Sequence, residues 1–298
     1  MKTQLSDLLT PEVLHTVKGL ELVARIVVEG FMSGSNPSQS VGSGQEFSQY
    51  RSYEPGDDLR QLDWKMYARA ERYYIKQADI ETNITVKFIL DATESMSYTE
   101  RGISKLQYAK ILAAALAYLA RKQSDSFGLF AINDKGIQTV LPRFEQQQYM
   151  RVLDALVALE AHGSWQKNDN PEAVFDHHGK ELIIFFSDLF DLDDDLRRFT
   201  ARLKTPRNEV IVFHLMGTDE MNLAYNGVYA FEELESGRRI RVDTVAQKEL
   251  YVSRVREWIR QTRLWMLEKQ INYHLVETGM SFEQVLRDFL KVRKSLMR

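Results

Sequence analysis

The feature that most constrains the fold is an alternation of short apolar segments with longer amphipathic ones, which begins near Thr85 and continues toward the end of the chain. Short apolar segments bounded by turn residues are typical of buried strands, whereas apolar residues spaced three or four apart are typical of helices. Strands that alternate with helices form a parallel sheet covered on both faces. The sequence therefore predicts an α/β fold with an open, mostly parallel sheet.

The predicted strands are Val86–Leu90, Phe127–Ile132, Leu182–Phe186, Val210–Leu215 and Tyr273–Val276, and the predicted helices are Lys105–Lys122, Gln146–Leu159, Asp194–Lys204, Gln247–Lys269 and Phe282–Val292. A tight turn at Asn133–Gly136 predicts that the segment Lys135–Pro142 is an antiparallel edge strand. A second hairpin is predicted within Val228–Val242. Because ligands bind at the carboxyl ends of strands in such sheets, we expect the functional site there.

The N-terminal part of the chain lacks this alternation. Apolar residues at helical spacing predict a helix over Pro11–Val28, and repeated Gly, Ser and Asn predict a loop over Gly30–Gly44. These patterns divide the chain into an N-terminal extension, residues 1–82, and an α/β domain, residues 83–298.

The composition excludes several classes of function. A formal net charge of −3 gives no general attraction to nucleic acid, and the absence of cysteine removes thiolate metal sites and cysteine nucleophiles. The longest apolar run, Ile111 to Ala120, has about half of the roughly twenty residues that a membrane-spanning helix requires. The N-terminus lacks the uninterrupted apolar segment of a signal peptide, so we expect a cytoplasmic protein without a membrane span.

Polar residues follow the first predicted strand of the α/β domain. Asp91, Thr93 and Ser95 occupy alternate positions, and alternation in an extended segment directs side chains to one side. One carboxylate and two hydroxyls form an oxygen-only set that suits Mg²⁺ or Mn²⁺. In the alternative interpretation, Asp91 caps the following turn while Thr93 and Ser95 cap a helix, and no metal binds.

A second carboxylate, Asp188, follows the predicted strand Leu182–Phe186. The carboxyl ends of parallel strands meet at one edge of a sheet, so Asp188 and Asp91 are expected on the same rim. Direct contact by one carboxylate and contact through water by another would fit Mg²⁺, which keeps several waters. The sequence therefore predicts a weakly bound Mg²⁺ or Mn²⁺ ion.

The Asp91-x-Thr93-x-Ser95 segment resembles the first motif of the metal-ion-dependent adhesion site of von Willebrand factor A domains, which usually reads Asp-x-Ser-x-Ser, and Asp188 resembles the later aspartate of that site. This resemblance implies a von Willebrand factor A-like, Rossmann-type fold. The family's intervening threonine is not evident, and Ser164 stands where it would be expected. Ser164 is therefore a candidate fifth ligand.

A second resemblance lies upstream of the metal motif. The segment resembles the bacterial domain-of-unknown-function 58 family in the residues Arg51, Tyr53, Pro55, Gly56, Asp57, Asp58, Arg60, Asp63, Trp64 and Arg69. Members of that family are typically encoded with MoxR-type AAA+ ATPases. The resemblance therefore implies an ATPase partner and a role in chaperone-like assembly or metal insertion.

The same upstream segment can also be interpreted from its residues alone. Pro55, Gly56 and Asp57 are typical of a turn, which charge pairs between Arg60 or Arg69 and Asp63 would hold. These residues then serve structure rather than catalysis. The aromatic residues Trp64, Tyr67, Tyr73 and Tyr74 suit either burial or a partner, and core packing is the more ordinary role.

The sequence leaves three functional hypotheses open. The leading one is a non-enzymatic, metal-dependent protein-binding module, in which a carboxylate of the partner completes the metal shell. The second is a metal-dependent hydrolase or phosphotransferase with Asp91 as nucleophile, although Thr93 stands where such phosphatases usually place a second acid. The third is a metal-free structural scaffold, favoured if Ser164 faces away from the rim.

Overall fold

The computed structural model describes residues 5–34, 47–53, 62, 64–78, 84–165, 172–176, 179–190, 195–235 and 237–296. The chain divides into two compact units, a large one of residues 1–35 and 84–298 and a small one of residues 36–83.

Strands and α-helices alternate through most of the described residues. In chain order, the strands are β1 (Phe47–Ser52), β2 (Tyr74–Ala78), β3 (Thr85–Asp91), β4 (Thr99–Glu100), β5 (Ile103–Ser104), β6 (Ser126–Asn133), β7 (Gly136–Arg143), β8 (Glu181–Ser187), β9 (Asn208–Met216), β10 (Val228–Glu232), β11 (Arg239–Asp243) and β12 (Asn272–Glu277). The α-helices are α1 (Pro11–Leu14), α2 (Val17–Gly34), α3 (Trp64–Ala70), α4 (Lys105–Lys122), α5 (Gln148–Ala158), α6 (Glu172–Phe175), α7 (Asp195–Leu203), α8 (Thr218–Asn222), α9 (Thr244–Glu268) and α10 (Phe282–Leu296).

The large unit is built around a six-stranded sheet with the order β12-β9-β8-β3-β6-β7. All neighbouring strands are parallel except β7, which is antiparallel to β6. Counted along the chain, the sheet order is 3-2-1-4-5-6, which reverses direction between the first and fourth strands. In open α/β sheets, ligands bind at this switch point. The two strands that flank it in this protein are β3 and β8.

Helices cover both faces of this sheet, as the strand sequences require. Val86, Phe88 and Leu90 of β3 belong to one core cluster with residues of α2, α4, α5 and α10, whereas Ile89 belongs to the other, with residues of α7 and α9. Successive side chains of a strand point to opposite faces, so a central strand with two buried faces is apolar throughout. The open, mostly parallel α/β fold predicted from the sequence is confirmed.

The domain assignment of helix α2 differs from the division expected at residue 82. Its residues Leu20, Val23, Val27 and Val28 are fully buried in the core cluster on one face of the sheet. The helix packs on α4, α5 and α10. The predicted helix is therefore part of the α/β unit and not of a separate N-terminal extension, because its apolar stripe is needed to cover the sheet.

Other predicted boundaries shift by a few residues. The helix predicted over Pro11–Val28 is interrupted at His15 and Thr16, and it continues to Gly34, beyond the expected start of the loop. Both predicted hairpins form: Asn133 pairs with Gly136 between β6 and β7, and β10 pairs with β11 from Val228↔Asp243 to Glu232↔Arg239.

The small unit contains a two-stranded antiparallel sheet of β1 and β2, together with α3. Its aromatic side chains form a row: the Tyr53 and Tyr73 ring centroids are 6.2 Å apart, Tyr67 stacks on Tyr73 at 4.5 Å, and Trp64 meets Tyr67 at 6.3 Å. Trp64 is 63% exposed and Tyr73 47% exposed. Core packing, the more ordinary role expected for these residues, is therefore wrong for Trp64 and Tyr73.

The assignment of α2 to the sheet unit makes a prediction about stability. Leu20→Ala is expected to lower the free energy of unfolding of the large unit by about 2–5 kcal/mol, because it opens a cavity in the core. Chemical denaturation measures this, and Lys18→Ala, an exposed substitution in the same helix, serves as control. Equal stability of the two variants would contradict the assignment.

Candidate functional site

Asp91, the last residue of β3, is the fully buried centre of the site. Its Oδ1 accepts hydrogen bonds from the backbone N–H and the hydroxyl of Thr93, at 3.0 and 2.7 Å. Its Oδ2 accepts a hydrogen bond from the hydroxyl of Ser187, the last residue of β8, at 2.7 Å. The carboxylate therefore links the ends of the two strands that flank the switch point.

The three oxygens predicted from the sequence do converge. The hydroxyl oxygens of Thr93 and Ser95 are 3.1 Å apart, and both side chains are buried. Thr93 precedes a short 3₁₀ turn, Glu94–Ser97, but its side chain makes no capping hydrogen bond there. The capping interpretation therefore holds for the Asp91 carboxylate, which accepts a hydrogen bond from the Thr93 N–H. It does not hold for the Thr93 hydroxyl.

Asp188 lies on the same rim and forms a buried ion pair that the sequence did not reveal. The ammonium of Lys105 lies 2.9 Å from Asp188 Oδ2 and 2.8 Å from Glu220 Oε1. Lys105 is the first residue of α4, which Ser104 and Gln107 begin with a capping box. Burial disfavours the charged ammonium, but the two carboxylates outweigh this and raise the pKa of Lys105.

Glu235, which lies between β10 and β11 in a distant part of the chain, lines the same pocket as Ser95 and Asp188. Its carboxylate lies close enough to Asp91 and Asp188 for their charges to raise its pKa. The side chain is half-buried. The hairpin therefore brings a third carboxylate toward the predicted metal motif.

The electrostatics of the site favour a cation. Burial, and then the charge of Asp188, raise the pKa of Asp91 to about 6. Burial, and then the charges of Asp91 and Asp188, raise the pKa of Glu235 to about 7. Lys105 supplies one positive charge against several carboxylates, so the rim has an excess of negative potential. A hard divalent cation would relieve it, and the donor set of carboxylate and hydroxyl oxygens fits Mg²⁺ or Mn²⁺.

The carboxylates alone do not form a ready-made metal cage. Within the described ranges, no group of three or more Asp, Glu or His side chains has the geometry of a metal site. An ion at this rim would therefore depend on the hydroxyls of Thr93 and Ser95 as much as on Asp91 and Asp188.

Ser164 is placed next to the site. The segment around it lies against the metal motif, since the Glu94 N–H donates to the Gly163 carbonyl at 2.8 Å and the His162 N–H to the Ala92 carbonyl at 2.8 Å. The Ser164 side chain is exposed, whereas Asp91 is fully buried. The predicted role of Ser164 as a ligand therefore stays a prediction.

Most of the upstream signature lies outside the described residues. This holds for Gly56, Asp57, Asp58, Arg60 and Asp63. Arg51 lies in β1 and Arg69 in the last turn of α3. The predicted charge pairs of Arg60 and Asp63 therefore stay predictions.

A groove opens beside the rim, and it encloses about 940 Å³. Asp188, Ser95 and Lys105 line it, together with the aromatic side chains of Tyr98, Tyr225, Phe231 and Tyr251. Arg241 and Arg254 also line it, alongside carboxylates of α8 and of the β10–β11 hairpin.

The chain belongs to the family described as "Protein of unknown function DUF58", which it matches over residues 49–261. Relatives described as uncharacterized proteins of Mycobacterium bovis and Mycobacterium tuberculosis are 22% identical over 235 residues, which is 78% of this chain and 74% of theirs. The family resemblance drawn from the upstream signature is therefore confirmed.

Solved structures with similar architecture are distant in sequence. The conserved hypothetical protein BatB of Bacteroides thetaiotaomicron is 13% identical with a TM-score of 0.42, and covers 72% of this chain and 100% of its own. The SpRpn10 VWA domain is 11% identical with a TM-score of 0.41, and the match covers 69% of this chain and 94% of that domain. An aerotolerance-related membrane protein of Bacteroides fragilis is 15% identical with a TM-score of 0.44, and the match covers 70% of this chain and 99% of that protein's solved chain. In the described part of this chain, no helix is long and apolar enough to cross a membrane.

Sequence reasoning missed three members of the site. Ser187 immediately precedes the predicted Asp188, so its position at a strand end was a usable signal. Lys105 and Glu235 gave no such signal, because one begins an ordinary amphipathic helix and the other lies about 140 residues beyond Ser95 in a turn.

Proposed function

We propose that this protein is a non-enzymatic, metal-dependent protein-binding module that holds Mg²⁺ or Mn²⁺ at the switch point of its sheet. The observation that carries the proposal is the convergence of Asp91, Thr93, Ser95 and Asp188 on one buried rim with an excess of negative charge. The resemblance of this motif to the metal-ion-dependent adhesion site supports the same interpretation.

Each residue has a distinct part in this proposal. The ion would be held by the hydroxyls of Thr93 and Ser95 and by the carboxylate of Asp91. Asp188 would act on it from the end of the neighbouring strand, β8. Ser187 orients Asp91 by donating to its Oδ2. Lys105 offsets the charge of Asp188. When bound, the ion supplies a positively charged centre with open coordination positions, which attracts a carboxylate of the partner.

The groove beside the rim supports the choice of a protein as ligand. Its aromatic walls are of the kind that bind side chains of a partner. The family resemblance, rather than the geometry, supports a MoxR-type AAA+ ATPase as the partner. Chaperone-like assembly is the role proposed with it.

Metal binding is the first test of this function. Calorimetric titration with MgCl₂ or MnCl₂ is expected to give weak, saturable heats for the wild type and none for Asp91→Asn. Asn keeps the shape of Asp91 but removes the charge, so the variant is expected to stay folded. Ser253→Ala, in the exposed part of α9, is the control and should titrate like the wild type. Equal heats for wild type and Asp91→Asn would remove the metal site.

Association with the ATPase is the second test. In a pull-down with the purified MoxR-type ATPase of the same cell, capture is expected with Mg²⁺ and lost on addition of a chelator or in Asp91→Asn. Capture that is indifferent to chelator and to Asp91→Asn would contradict a metal-dependent interface.

The hydrolase hypothesis predicts a different result. A carboxylate nucleophile needs an accessible oxygen, but Asp91 is fully buried and both of its oxygens accept hydrogen bonds. A screen of phosphatase and esterase substrates with Mg²⁺ is therefore expected to give no turnover above background. Turnover that disappears in Asp91→Asn would replace the binding proposal with an enzymatic one.

A further inference from the structure

The rim already holds a cation of its own, the ammonium of Lys105. This ammonium lies 2.9 Å from Asp188 Oδ2 and 2.8 Å from Glu220 Oε1, and it lies over the Tyr98 ring at 5.2 Å from the ring centroid. Two carboxylates and the face of an aromatic ring are groups that stabilise a cation away from water. Only 2% of the Lys105 side chain is exposed. Protein groups, rather than solvent, therefore compensate its charge.

Both carboxylate oxygens of Asp188 are engaged in hydrogen bonds. Oδ1 accepts from the Phe190 N–H at 3.2 Å, and Oδ2 accepts from the Lys105 ammonium. A Mg²⁺ ion takes its ligand oxygens at about 2.0–2.1 Å. Direct ligation by either oxygen would therefore place a divalent ion and the ammonium on the same carboxylate. Asp188 is buried, so the repulsion between these two cations would be little screened by water.

The ammonium and the proposed ion would also be neighbours in space. Lys105, Asp188 and Ser95 line the groove beside the rim, and the Ser95 hydroxyl is 3.1 Å from that of Thr93. These two hydroxyls are among the ligands that the proposed function gives to the ion. An ion bound to them would therefore compete with Lys105 for the negative charge of Asp188.

We propose that Lys105 is the built-in counter-ion of Asp188, and that it sets the affinity of this site for a divalent ion. It keeps Asp188 out of direct contact with the ion, so that Asp188 acts on the ion through water. This inference rests on the proposed function and deepens it, because it assigns the weakness of metal binding to one residue. Lys105 is not a ligand; it determines how much of the charge of Asp188 the ion receives.

The position of the ammonium is fixed from two sides. Lys105 is the first residue of α4, whose start is fixed by a capping box. Its second partner, Glu220, belongs to α8 and also accepts a hydrogen bond from the Gly217 N–H at 3.0 Å through Oε2. Movement of the ammonium away from Asp188 would break both of its ion pairs. An arriving ion therefore meets a fixed positive charge.

Removal of that charge has two opposite effects. Without metal, Asp188 would be a buried carboxylate without its counter-ion, which lowers the stability of the fold. With metal, the full charge of Asp188 would become available to the ion, which raises the affinity. A purely structural Lys105 would show the first effect and not the second. The two effects together are therefore the signature of a counter-ion.

Calorimetric titration of the full chain with MnCl₂ tests the affinity. Lys105→Met keeps the length of the side chain but removes the charge, and it is expected to bind Mn²⁺ about tenfold more tightly than the wild type or better. Lys105→Arg keeps the charge and should bind no more tightly than the wild type. Lys122→Met, an exposed substitution at the other end of α4, is the control and should titrate like the wild type. Equal or weaker binding by Lys105→Met would overturn the proposal.

Thermal unfolding with and without MnCl₂ tests the link between stability and metal. Without metal, Lys105→Met is expected to melt below the wild type. Addition of MnCl₂ should raise its melting temperature more than that of the wild type, because a ligand stabilises the folded state according to its affinity. Equal rises in the two proteins would contradict the counter-ion role.

A variant that does not fold without metal also gives an answer. Lys105→Met that folds only in MnCl₂ would be the strongest form of the expected result. Lys105→Gln, which lacks the charge but can still donate a hydrogen bond to a carboxylate, is the second variant. Failure of both variants to fold with and without MnCl₂ would overturn the proposal, since the ion would then be unable to replace the ammonium.

The titrations separate this inference from the function on which it rests. Binding of Mn²⁺ to Lys105→Met but not to the wild type would support the counter-ion and overturn the metal-dependent function of the native protein. Equal binding by both would support the function and overturn the role of Lys105. No binding by either protein would overturn both.

Discussion

The burial of the Asp91 carboxylate is the constraint on which the rest of the site depends. An ionised group away from water is costly unless its oxygens are hydrogen-bonded. Thr93 satisfies one oxygen and Ser187 the other. Those two residues lie at the ends of different central strands, so the position of the carboxylate depends on the register of β3 against β8. A change in that register would leave Asp91 unpaired in the interior.

The ion pairs of Lys105 extend the requirement for buried charge compensation to the helices α4 and α8. Its ammonium links Asp188, which follows β8, to Glu220 in α8, and both Lys105 and Asp188 are removed from water. Breaking such a pair on one side would leave a buried charge without compensation. The start of α4 and the segment after β9 are thereby held near the rim that carries the metal motif.

The sequence predicted the parts of this arrangement that follow from local pattern. Short apolar segments located β3, β6, β8 and β9, and parallel strands must place Asp91 and Asp188 at one edge. The role of α2 could not be predicted in this way, because an amphipathic pattern shows that a helix has a buried face and not what covers it. Glu235 could not be predicted either, since its place on the pocket that Ser95 lines depends on how the β10–β11 hairpin packs, which its local sequence does not show.

The junction between β11 and α9 couples the hairpin to the longest helix of the described residues. Asp243 ends β11, and its carboxylate caps α9 by accepting from the Val245 and Ala246 N–H groups at 3.1 and 3.2 Å. Asp243 is therefore both the last residue of β11 and the N-cap of α9, so no linker separates the strand from the helix. Any rotation of the hairpin about its base would strain or uncap the first turn of α9, so the conformation of the hairpin would be transmitted to this helix as fraying of its N-terminal end.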